Sequence, residues 1–372
     1  MSWMTAEAAL ALLGTRPQTL YANVSRGRIA ARPDPDDPRR SLYRQEDVER
    51  LAARHRGRRP AKMVAAESIA WGEPVLETAI STVANGRLLY RGQDAAALSA
   101  TATLGGVARL LWSAGGEIDF AGRARALAPG MAAAYRAVAE LAATDMPLAG
   151  RNRAMLLGDA ARTVSFLAGA LAAPGNAPVH ERLARQWVRL EAAEAIRTAL
   201  VLLAEHELNA STFAARVTAS TGAPLSAAVL AGLAALSGPL HGNASQSMTG
   251  LVATARQDGP EAAVREYLRQ GRALPCFGHR LYADGDIRAQ ALMRCFAVPR
   301  LFAELASIGS SLSGEQPNID FALVAMTAAF DLPNDAPLQI FALARSVGWI
   351  AHALEQVETG ALIRPRARYI GV

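Results

Sequence analysis

The sequence predicts an all-α body preceded by a small N-terminal module that also contains strands. After Tyr90, Ala- and Leu-rich stretches with helical spacing follow one another, separated by Gly and Pro. Alanine favours helix and lets neighbouring helices pack closely. No strands alternate with these stretches and no repeat of fixed period occurs, which argues against an α/β fold and a repeat array. Only the segment Ile80 to Tyr90 (ISTVANGRLLY) predicts a short β-like start, with Asn85-Gly86 as its turn.

The length and composition are those of an ordinary globular protein. The 372 residues give room for two or three folding units, and 51% hydrophobic against 19% charged residues excludes a disordered chain. The two cysteines, Cys276 and Cys295, are too few for a disulfide framework. No signal-peptide pattern and no uninterrupted apolar run of about 18 residues is present. We therefore expect a soluble protein of the reducing cytoplasm that does not enter a membrane.

The N-terminal 62 residues carry the whole formal net charge of +6, so the rest of the chain is neutral. Within this segment, Thr5 is a candidate N-cap for a helix from Ala6 to Leu13 that ends at Gly14. A second helix, two short strands and a last helix are then predicted, over Pro17 to Val24, Ile29 to Tyr43 and Glu46 to Arg54. Through TAEAALALLG, TLYANVSRGRI and YRQEDVERLA, residues 1–54 resemble the MerR/excisionase type of winged helix-turn-helix.

Such a module places its second helix in the major groove of DNA. The resemblance therefore implies candidate base contacts from Arg16, Gln18, Thr19, Tyr21 and Asn23. It implies candidate phosphate contacts from Arg26, Arg28, Arg39 and Arg40. The alternative is an appendage for dimerisation or docking, because a fold alone does not determine its function. The basic segment 55–62 (HRGRRPAK) is predicted to be a linker, and a new domain starts near Met63.

Four histidines stand near Gly, Asn or Arg between apolar stretches: His206 in EHELNAST, His241 in PLHGN, His279 in CFGHR and His352 in GWIAHALEQ. His241 and His279 each lie between a Pro-containing turn and a Gly, where free backbone amides can orient an imidazole or bind an anion. These two are predicted to be functional. His352 follows Arg345 by seven residues on one helical face, which is typical of a core histidine.

One acid and three arginines complete the candidate chemistry. Asp320, in QPNIDFALV, enters an apolar helix, where desolvation would raise its pKa toward that of a useful base; the alternative is an ordinary charge at a helix N-terminus. Arg288, Arg345 and Arg364 stand among apolar or turn residues, and a guanidinium pairs bidentately with a carboxylate. With histidine they suit a di- or tricarboxylate. No zinc, Walker, GxGxxG, GxSxG or HExxH pattern occurs, so no metal and no cofactor is predicted.

The chain from about Val75 to Val372 resembles the citrate synthase family, which includes 2-methylcitrate synthases. The landmarks are ETAISTVANGRLLYRGQD, HELNASTFAARVTAST, GPLHGN, FGHRLY followed by DIRAQ, NIDF, FALARSVGWIAHALEQ and IRPRARYIGV, in the family's order. The resemblance implies a large helical domain over residues 63–243 and 335–372 and a smaller one over 244–334. It also implies a homodimer with clefts between the domains.

The resemblance also assigns roles in a condensation of an acyl-CoA with oxaloacetate. Asp320 would remove a proton from the acyl α-carbon, while His241 donates a hydrogen bond to the developing enolate oxygen. His279 would polarise and protonate the oxaloacetate carbonyl. The oxaloacetate carboxylates would be held by His206, Arg288, Arg345 and, from the other subunit, Arg364. Domain closure would exclude water until the carbon–carbon bond has formed.

The departures from the family pattern fall on the CoA side. HGGANE is HGNASQ here, which places Asn243 and Gln246 where the family has Gly and an acid. After FGHRLY, Ala283 and Asp284 stand where the family often has a cation for the CoA phosphate. In the loop that resembles the CoA-binding loop, Cys276 replaces a Gly. That loop consists of Leu274, Pro275, Cys276, Phe277 and Gly278.

The sequence thus predicts a dimeric acyltransferase that makes citrate from acetyl-CoA and oxaloacetate, with acetyl-CoA as a co-substrate rather than a bound cofactor. A 2-methylcitrate synthase using propionyl-CoA stays open, because one methylene in an apolar pocket is worth only about 1–3 kcal/mol. A third hypothesis is a DNA-binding regulator whose synthase-like body senses oxaloacetate or citrate. The departures on the CoA side and the basic N-terminus favour the regulator, whereas His241, His279 and Asp320 favour an enzyme.

Overall fold

The computed structural model of the chain describes residues 3–13, 20, 23–25, 29–34, 37, 41–49, 76–116, 118–121, 128–242, 244–367 and 369. The chain divides into two units, one formed by Met1–Glu77 with Pro365–Val372 and the other by Thr78–Arg364. The predicted linker 55–62 and Asn243 lie outside the described residues. So do eight candidate DNA contacts: Arg16, Gln18, Thr19, Tyr21, Arg26, Arg28, Arg39 and Arg40.

The N-terminal unit contains a small antiparallel sheet and a capped helix. Its elements in chain order are β1 (Trp3–Thr5), α1 (Ala6–Leu13), β2 (Ala31–Pro33) and β3 (Ser41–Arg44), and residues 45–49 are helical. The strand order is β1-β3-β2. Helix α1 has the predicted bounds, and Thr5 Oγ1 accepts a hydrogen bond from the Ala8 N–H at 3.3 Å. Strand β1 was not predicted. Asn23 is buried, which argues against its predicted contact with a base.

The second unit begins with the predicted strand–turn–strand. Strands β4 (Ser81–Ala84) and β5 (Arg87–Tyr90) pair antiparallel, and a short β6 (Gln93–Asp94) extends the sheet. The turn residues Asn85 and Gly86 have φ values of 52° and 71°, the left-handed region that Asn and Gly tolerate best. The body is mostly helical, which matches the predicted all-α class, and each unit also carries one three-stranded sheet among its described residues.

The remaining described residues form fourteen further helices, joined by short loops and by 3₁₀ turns at Leu190–Ala192 and Ala244–Ser247. The helices are α2 (Ala95–Leu98), α3 (Leu104–Leu111), α4 (Met131–Thr144), α5 (Arg153–Leu171), α6 (Val179–Gln186), α7 (Ala193–Leu203), α8 (Ala210–Ser220), α9 (Leu225–Leu236), α10 (Met248–Asp258), α11 (Pro260–Arg269), α12 (Ile287–Met293), α13 (Arg300–Ser313), α14 (Ile319–Ala329) and α15 (Ala336–Thr359).

Helix α15 is the centre of this unit. Every residue from Ala336 to Leu354 except Leu338 is buried, because α15 packs against α3, α5, α7, α8, α9 and α14. A helix that is buried all round carries polar side chains only where partners satisfy them. We therefore expect its buried Arg345 and His352 to have polar or charged partners.

The described residues of this unit form two hydrophobic cores. The larger extends from Ile80 to Leu354 and includes α15, and the smaller is formed by residues between Met248 and Phe321 together with Ala325. His279, Tyr282 and Asp320 lie in the same segment of the chain as the residues of the smaller core. The division into a large and a small domain at residues 244 and 334 stays a prediction.

Among the described residues, one helix, α5, is long and apolar enough to cross a membrane by length and composition. It packs against α4, α9 and α15, and half of its apolar window is buried in the fold. Asn152 caps its N-terminus, and Asp159 pairs with both Arg151 and Arg162. Core helices of soluble proteins meet the same criterion, and α5 makes the contacts of a helix packed against a core.

Candidate active site

The candidate oxaloacetate-binding side chains come together around Tyr282. The rings of His206 and His279 meet edge to face with their centroids 5.1 Å apart. Tyr282 lies beside both, and its hydroxyl is 2.9 Å from His206 Nε2. The Arg288 guanidinium lies over the Tyr282 ring, 5.3 Å from its centroid. His206, on the turn before α8, thus forms one cluster with His279, Tyr282 and Arg288, which lie before and at the start of α12.

Arg288 is held by a buried ion pair with Asp286. Its Nε and one terminal nitrogen donate to the two carboxylate oxygens at 2.9 and 2.8 Å. Asp286 also caps α12 and accepts the Ile319 N–H at 3.0 Å, so one carboxylate joins α12 to α14. Burial alone would raise the pKa of Asp286, but the adjacent Arg288 holds it below its usual value. Arg288 is therefore a fixed cation at the cluster.

Arg345 reaches the same region from the middle of α15. Its Nε donates to the Leu203 carbonyl at 2.7 Å, and its guanidinium lies 4.7 Å from the centroid of the Phe341 ring. Among the described residues, its two terminal nitrogens make no hydrogen bond. Burial lowers the pKa of Arg345 to about 10, so the group is still a cation at neutral pH. A buried guanidinium with unused donors suits an anionic ligand.

The tautomer of His279 follows from its backbone contact. The Leu281 N–H donates to His279 Nδ1 at 3.1 Å, so that nitrogen carries a lone pair. In the neutral ring the proton is then on Nε2, which is left as a hydrogen-bond donor. Burial, with Arg288 nearby, lowers the pKa of His279 to about 4. His279 is therefore a neutral donor beside the cationic Arg288.

His206 and His241 are also neutral. Burial lowers the pKa of His206 well below its usual value and that of His241 to about 4, and Arg345 acts in the same direction on both. An entering dicarboxylate would oppose these effects, because its negative charge favours the protonated ring. The cluster thus combines two arginine cations with three uncharged imidazoles, an arrangement complementary to a small dianion.

His241 is held by a serine that has a choice of acceptors. Ser211 Oγ lies 2.8 Å from His241 Nε2 and 2.7 Å from Asn209 Oδ1, and it accepts the Trp349 indole N–H at 3.1 Å. The hydroxyl has one proton to donate. If the proton points to His241 Nε2, the neutral imidazole carries its own proton on Nδ1 and can donate there. If it points to Asn209, Nε2 is the donor and Nδ1 is an acceptor.

Asp320 lies in the first turn of α14, whose N-cap is Asn318. Its Oδ1 is buried and has no hydrogen-bond partner among the described residues. Burial raises the pKa of Asp320 to about 6, against the opposing effect of Arg288. An unpartnered carboxylate of this kind is ionised at neutral pH. It is also basic enough to remove a proton from the carbon next to a thioester carbonyl, which makes that proton more acidic.

The predicted CoA-binding loop lies directly against the start of α14. The Asn318 N–H donates to the Cys276 carbonyl at 3.0 Å, and the Asn318 side chain donates to the Gly278 carbonyl at 3.1 Å. Cys276 has φ of 63°, a left-handed conformation that glycine adopts without strain. Its buried thiol approaches the Ala244 carbonyl. Burial and the nearby Asp320 raise the pKa of the Cys276 thiol, so it is not a reactive thiolate.

Other predicted residues lie apart from the cluster. Arg364 is exposed in the extended segment after α15, and no hydrogen bond among the described residues joins it to the cluster. Ala283 and Asp284 are exposed. His352 is fully buried in α15 and pairs with Glu205 and Arg216, as expected of a core histidine.

Sequence reasoning missed three residues that build the site. Tyr282 stands in FGHRLY, three residues after His279, and Asp286 stands two before Arg288; both spacings were visible, but neither showed which partner lay opposite. Ser211 follows His206 by five residues in HELNAST. Its contact with His241 depends on the packing of α8 against the segment after α9, which no local pattern reports.

Comparison with known proteins agrees with this geometry. A family model described as the citrate synthase C-terminal domain matches residues 124–366, more than half of the chain. The chain belongs to the citrate synthase family. Citrate synthase 2 of Bacillus subtilis is 37% identical over 189 residues, which are 48% of this chain and 51% of that protein. The 2-methylcitrate synthase 1 of Corynebacterium glutamicum is 35% identical over 186 residues, 46% of this chain and 48% of that protein.

The citrate synthase fold extends further than these sequence matches. The crystal structure of citrate synthase from Thermotoga maritima superposes with a TM-score of 0.66 and 27% identity, covering 81% of this chain and 94% of that one. In sequence, the chain spans about half the length of the curated citrate synthase relatives it matches. The fold and family are therefore established over most of the chain, and the part they cover contains the whole cluster.

Proposed function

We propose that this protein condenses an acyl-CoA with oxaloacetate and hydrolyses the resulting thioester to a tricarboxylate and CoA. The proposal is carried by the unpartnered Asp320 carboxylate, which is close enough to Cys276, Arg288 and Arg345 for their charges to interact, together with the cluster of two arginines and three neutral histidines. Asp320 is the base, and the cluster of arginines and histidines binds a small dianion. A carbon–carbon bond between a thioester enolate and a keto acid needs both in one site.

The first step is removal of the acyl α-proton. The Asp320 carboxylate takes this proton, and the electron pair moves onto the thioester oxygen. His241 stabilises that oxygen as a hydrogen-bond donor from Nδ1, which requires Ser211 to donate to Nε2 instead of to Asn209. The 2.8 Å contact between Ser211 Oγ and His241 Nε2 is a hydrogen bond in either direction, so the hydroxyl must turn from Asn209 Oδ1, at 2.7 Å, to donate to His241.

The second step joins the enolate to the keto carbon of oxaloacetate. Arg288, Arg345 and His206 hold the two carboxylates, and His279 presents its Nε2–H to the keto oxygen. The bound dianion raises the pKa of His279, which makes the ring a better acid when the oxygen becomes an alkoxide. The keto oxygen takes the proton as the carbon–carbon bond forms. Water then cleaves the thioester and releases CoA.

Acetyl-CoA is our proposed acyl donor, and propionyl-CoA is the second candidate. The relatives include proteins named citrate synthase and 2-methylcitrate synthase at similar identity. One methylene in an apolar pocket shifts selectivity by only about 1–3 kcal/mol, so the two donors must be compared by experiment. Cys276 affects the binding of both acyl-CoA donors equally, because its Cβ occupies a position in the proposed CoA-binding loop where the family has glycine.

The proposal is tested by the release of free CoA thiol from acetyl-CoA or propionyl-CoA in the presence of oxaloacetate. We expect oxaloacetate-dependent release that falls at least about a hundredfold in Asp320→Asn. Asp331→Asn is the matched control, because Asp331 is an exposed acid in the same unit that pairs only with Arg189 among the described residues. The ratio of the two donor rates identifies the product. Equal release by Asp320→Asn and the wild type would refute the assigned base.

We further propose that the N-terminal unit is a winged helix-turn-helix and that the protein is a cytoplasmic homodimer. The capped helix and the antiparallel strands support the first point, and the charge of residues 1–62 suits DNA. The exposed Arg364 suits a role in a partner subunit's site. Salt-dependent binding of duplex DNA that is lost in the Arg39→Ala, Arg40→Ala double variant would support DNA contact. No binding at low salt would refute it.

A further inference from the structure

A buried carboxylate lies directly behind the proposed oxaloacetate site. Glu205 precedes His206 in the turn after α7 and is fully buried. Its Oε1 accepts a hydrogen bond from Ser81 Oγ at 3.2 Å and lies 3.2 Å from His352 Nε2. Its Oε2 has no hydrogen-bond partner among the described residues. Burying a carboxylate with one oxygen unsatisfied is costly, so its negative charge calls for an explanation.

Helix α15 is shaped to accept this carboxylate. A Cβ at Gly348 would fall 2.1 Å from Glu205 Oε2 and 2.4 Å from the Ala204 carbonyl oxygen, so only glycine leaves room there. Arg345 lies one turn before Gly348 and His352 one turn after it, on the same face of α15. Glu205 therefore lies against the helix between the substrate-binding arginine and its own imidazole partner.

The imidazole partner is fixed in one tautomer by a second network. Arg216 donates toward His352 Nδ1 at 3.3 Å, so the ring proton is on Nε2 and points to Glu205. Arg216 is itself bound to Glu355 and Gln356, at 2.9 and 2.6 Å. The two partners of Oε1, Ser81 and His352, thus give the carboxylate a defined position.

The two proposed substrate arginines differ in how their charge is compensated. Arg288 has a bidentate partner in Asp286. Arg345 touches no carboxylate among the described residues, since the acceptor of its Nε is the Leu203 carbonyl, two residues before Glu205. Glu205 is the acid whose field most favours the charged form of Arg345. Because Glu205 compensates the charge of Arg345 without touching it, the terminal nitrogens of Arg345 stay available for a ligand.

We propose that Glu205 is a positioning residue for oxaloacetate, which sustains the charge of Arg345 and fixes the turn that carries His206. This inference rests on the proposed function. Glu205 does not touch the substrate. It acts through the Leu203–Arg345 contact and through its own backbone, because the Glu205 N–H donates to the Tyr90 hydroxyl at 3.2 Å.

The Glu205→Gln variant keeps the shape of the side chain and removes its charge. We expect oxaloacetate to bind about tenfold more weakly to it by isothermal titration calorimetry, with the KM for acyl-CoA unchanged. In metal sites, outer partners of the ligand-holding groups are typically worth about 10- to 100-fold, and we expect an effect at the lower end of that range here. Glu355→Gln is the matched control, because it removes a carboxylate from the same network at its far end. The control is expected to bind oxaloacetate as the wild type does.

The pH dependence separates this role from a structural one. Without the Glu205 charge the pKa of Arg345 falls, so the cation is lost at lower pH. As the pH rises, oxaloacetate affinity should therefore weaken earlier in Glu205→Gln than in the wild type, whose Arg345 has a pKa of about 10. The charged and titratable groups that face Arg345 from its surroundings are Glu205, His206, Tyr90, Tyr282, Arg288, His241 and Asp320. Glu355→Gln retains all of them and should follow the wild-type profile.

The outcomes distinguish this inference from the proposed function. If the wild type does not bind oxaloacetate, the proposed function fails and the inference fails with it. If the wild type binds and folded Glu205→Gln binds equally well with the same pH profile, the inference alone is overturned. Should Glu205→Gln not fold, Ser81→Ala removes one hydrogen bond from the same carboxylate. It is expected to weaken oxaloacetate binding in the same direction, and unchanged affinity in Ser81→Ala would overturn the inference.

Discussion

The Asp286→Asn substitution tests how the site is held together. Asp286 and Arg288 are 1% and 3% exposed, and Asp286 accepts four hydrogen bonds, three from Arg288 and one from the Ile319 N–H. Asparagine still caps α12, since Asn is as good an N-cap as Asp. The substitution therefore removes the charge and leaves the shape, so that the Arg288 guanidinium faces an amide that cannot neutralise it.

Breaking a buried ion pair on one side typically costs about 3–5 kcal/mol, because the remaining charge stays buried. A loss of this size is a large share of the roughly 5–15 kcal/mol that stabilises a protein. We expect the free energy of unfolding in urea to fall by that amount in Asp286→Asn. Saturating oxaloacetate should restore part of it, because its carboxylate supplies the missing negative charge to Arg288.

Asp331→Asn is the control for this measurement. Asp331 pairs with Arg189 at 2.6 Å, but its side chain is 88% exposed, and such pairs contribute about 0–1 kcal/mol. An Asp286→Asn variant as stable as Asp331→Asn would refute the reasoning. It would mean that the buried pair contributes no more than a surface pair does.

The other expectations concern the same cluster. Tyr282→Phe leaves His206 Nε2 without its partner, so oxaloacetate should bind roughly 5- to 150-fold more weakly in calorimetry, from a cost of about 1–3 kcal/mol; unchanged affinity would contradict the contact. Ser211→Ala should lower kcat by about 10- to 100-fold with little change in KM, and an equal effect on KM would argue against its role in orienting His241. The lowered pKa of Asp286 means that its contribution to stability is present above about pH 4 and is lost as the pH falls further, which acid unfolding of Asp286→Asn against the wild type would measure.

Much of the fold was accessible from local sequence patterns. Helix α1 has its predicted bounds because Thr5 caps it, and the strands around Asn85-Gly86 pair because those two residues tolerate positive φ. Strands β1 and β6 were missed. They have three and two residues and exist only because a neighbouring strand pairs with them, which no short segment reveals.

The site was predictable in its residues and less so in their partners. The positions of His206, His279, Arg288 and Arg345 followed from the family resemblance, and the structure brings these four together. The raised pKa of Asp320 was expected from an acid entering an apolar helix. Partners supplied by packing were not predictable, since each depends on which helix lies opposite in the fold. Examples are Ser211 beneath His241, Asp286 across Arg288, and Glu205 against Gly348.

The central claim is that Asp320 acts as the base of an oxaloacetate-dependent condensation, and the pH dependence of CoA release tests it most directly. With a pKa of about 6, Asp320 must be ionised to act, so kcat/KM for the acyl-CoA should rise with pH through about pH 6 and level off above it. Asp320→Asn should show no such rise and at least about a hundredfold lower release. CoA release without oxaloacetate, or an acid limb that survives in Asp320→Asn, would contradict the account.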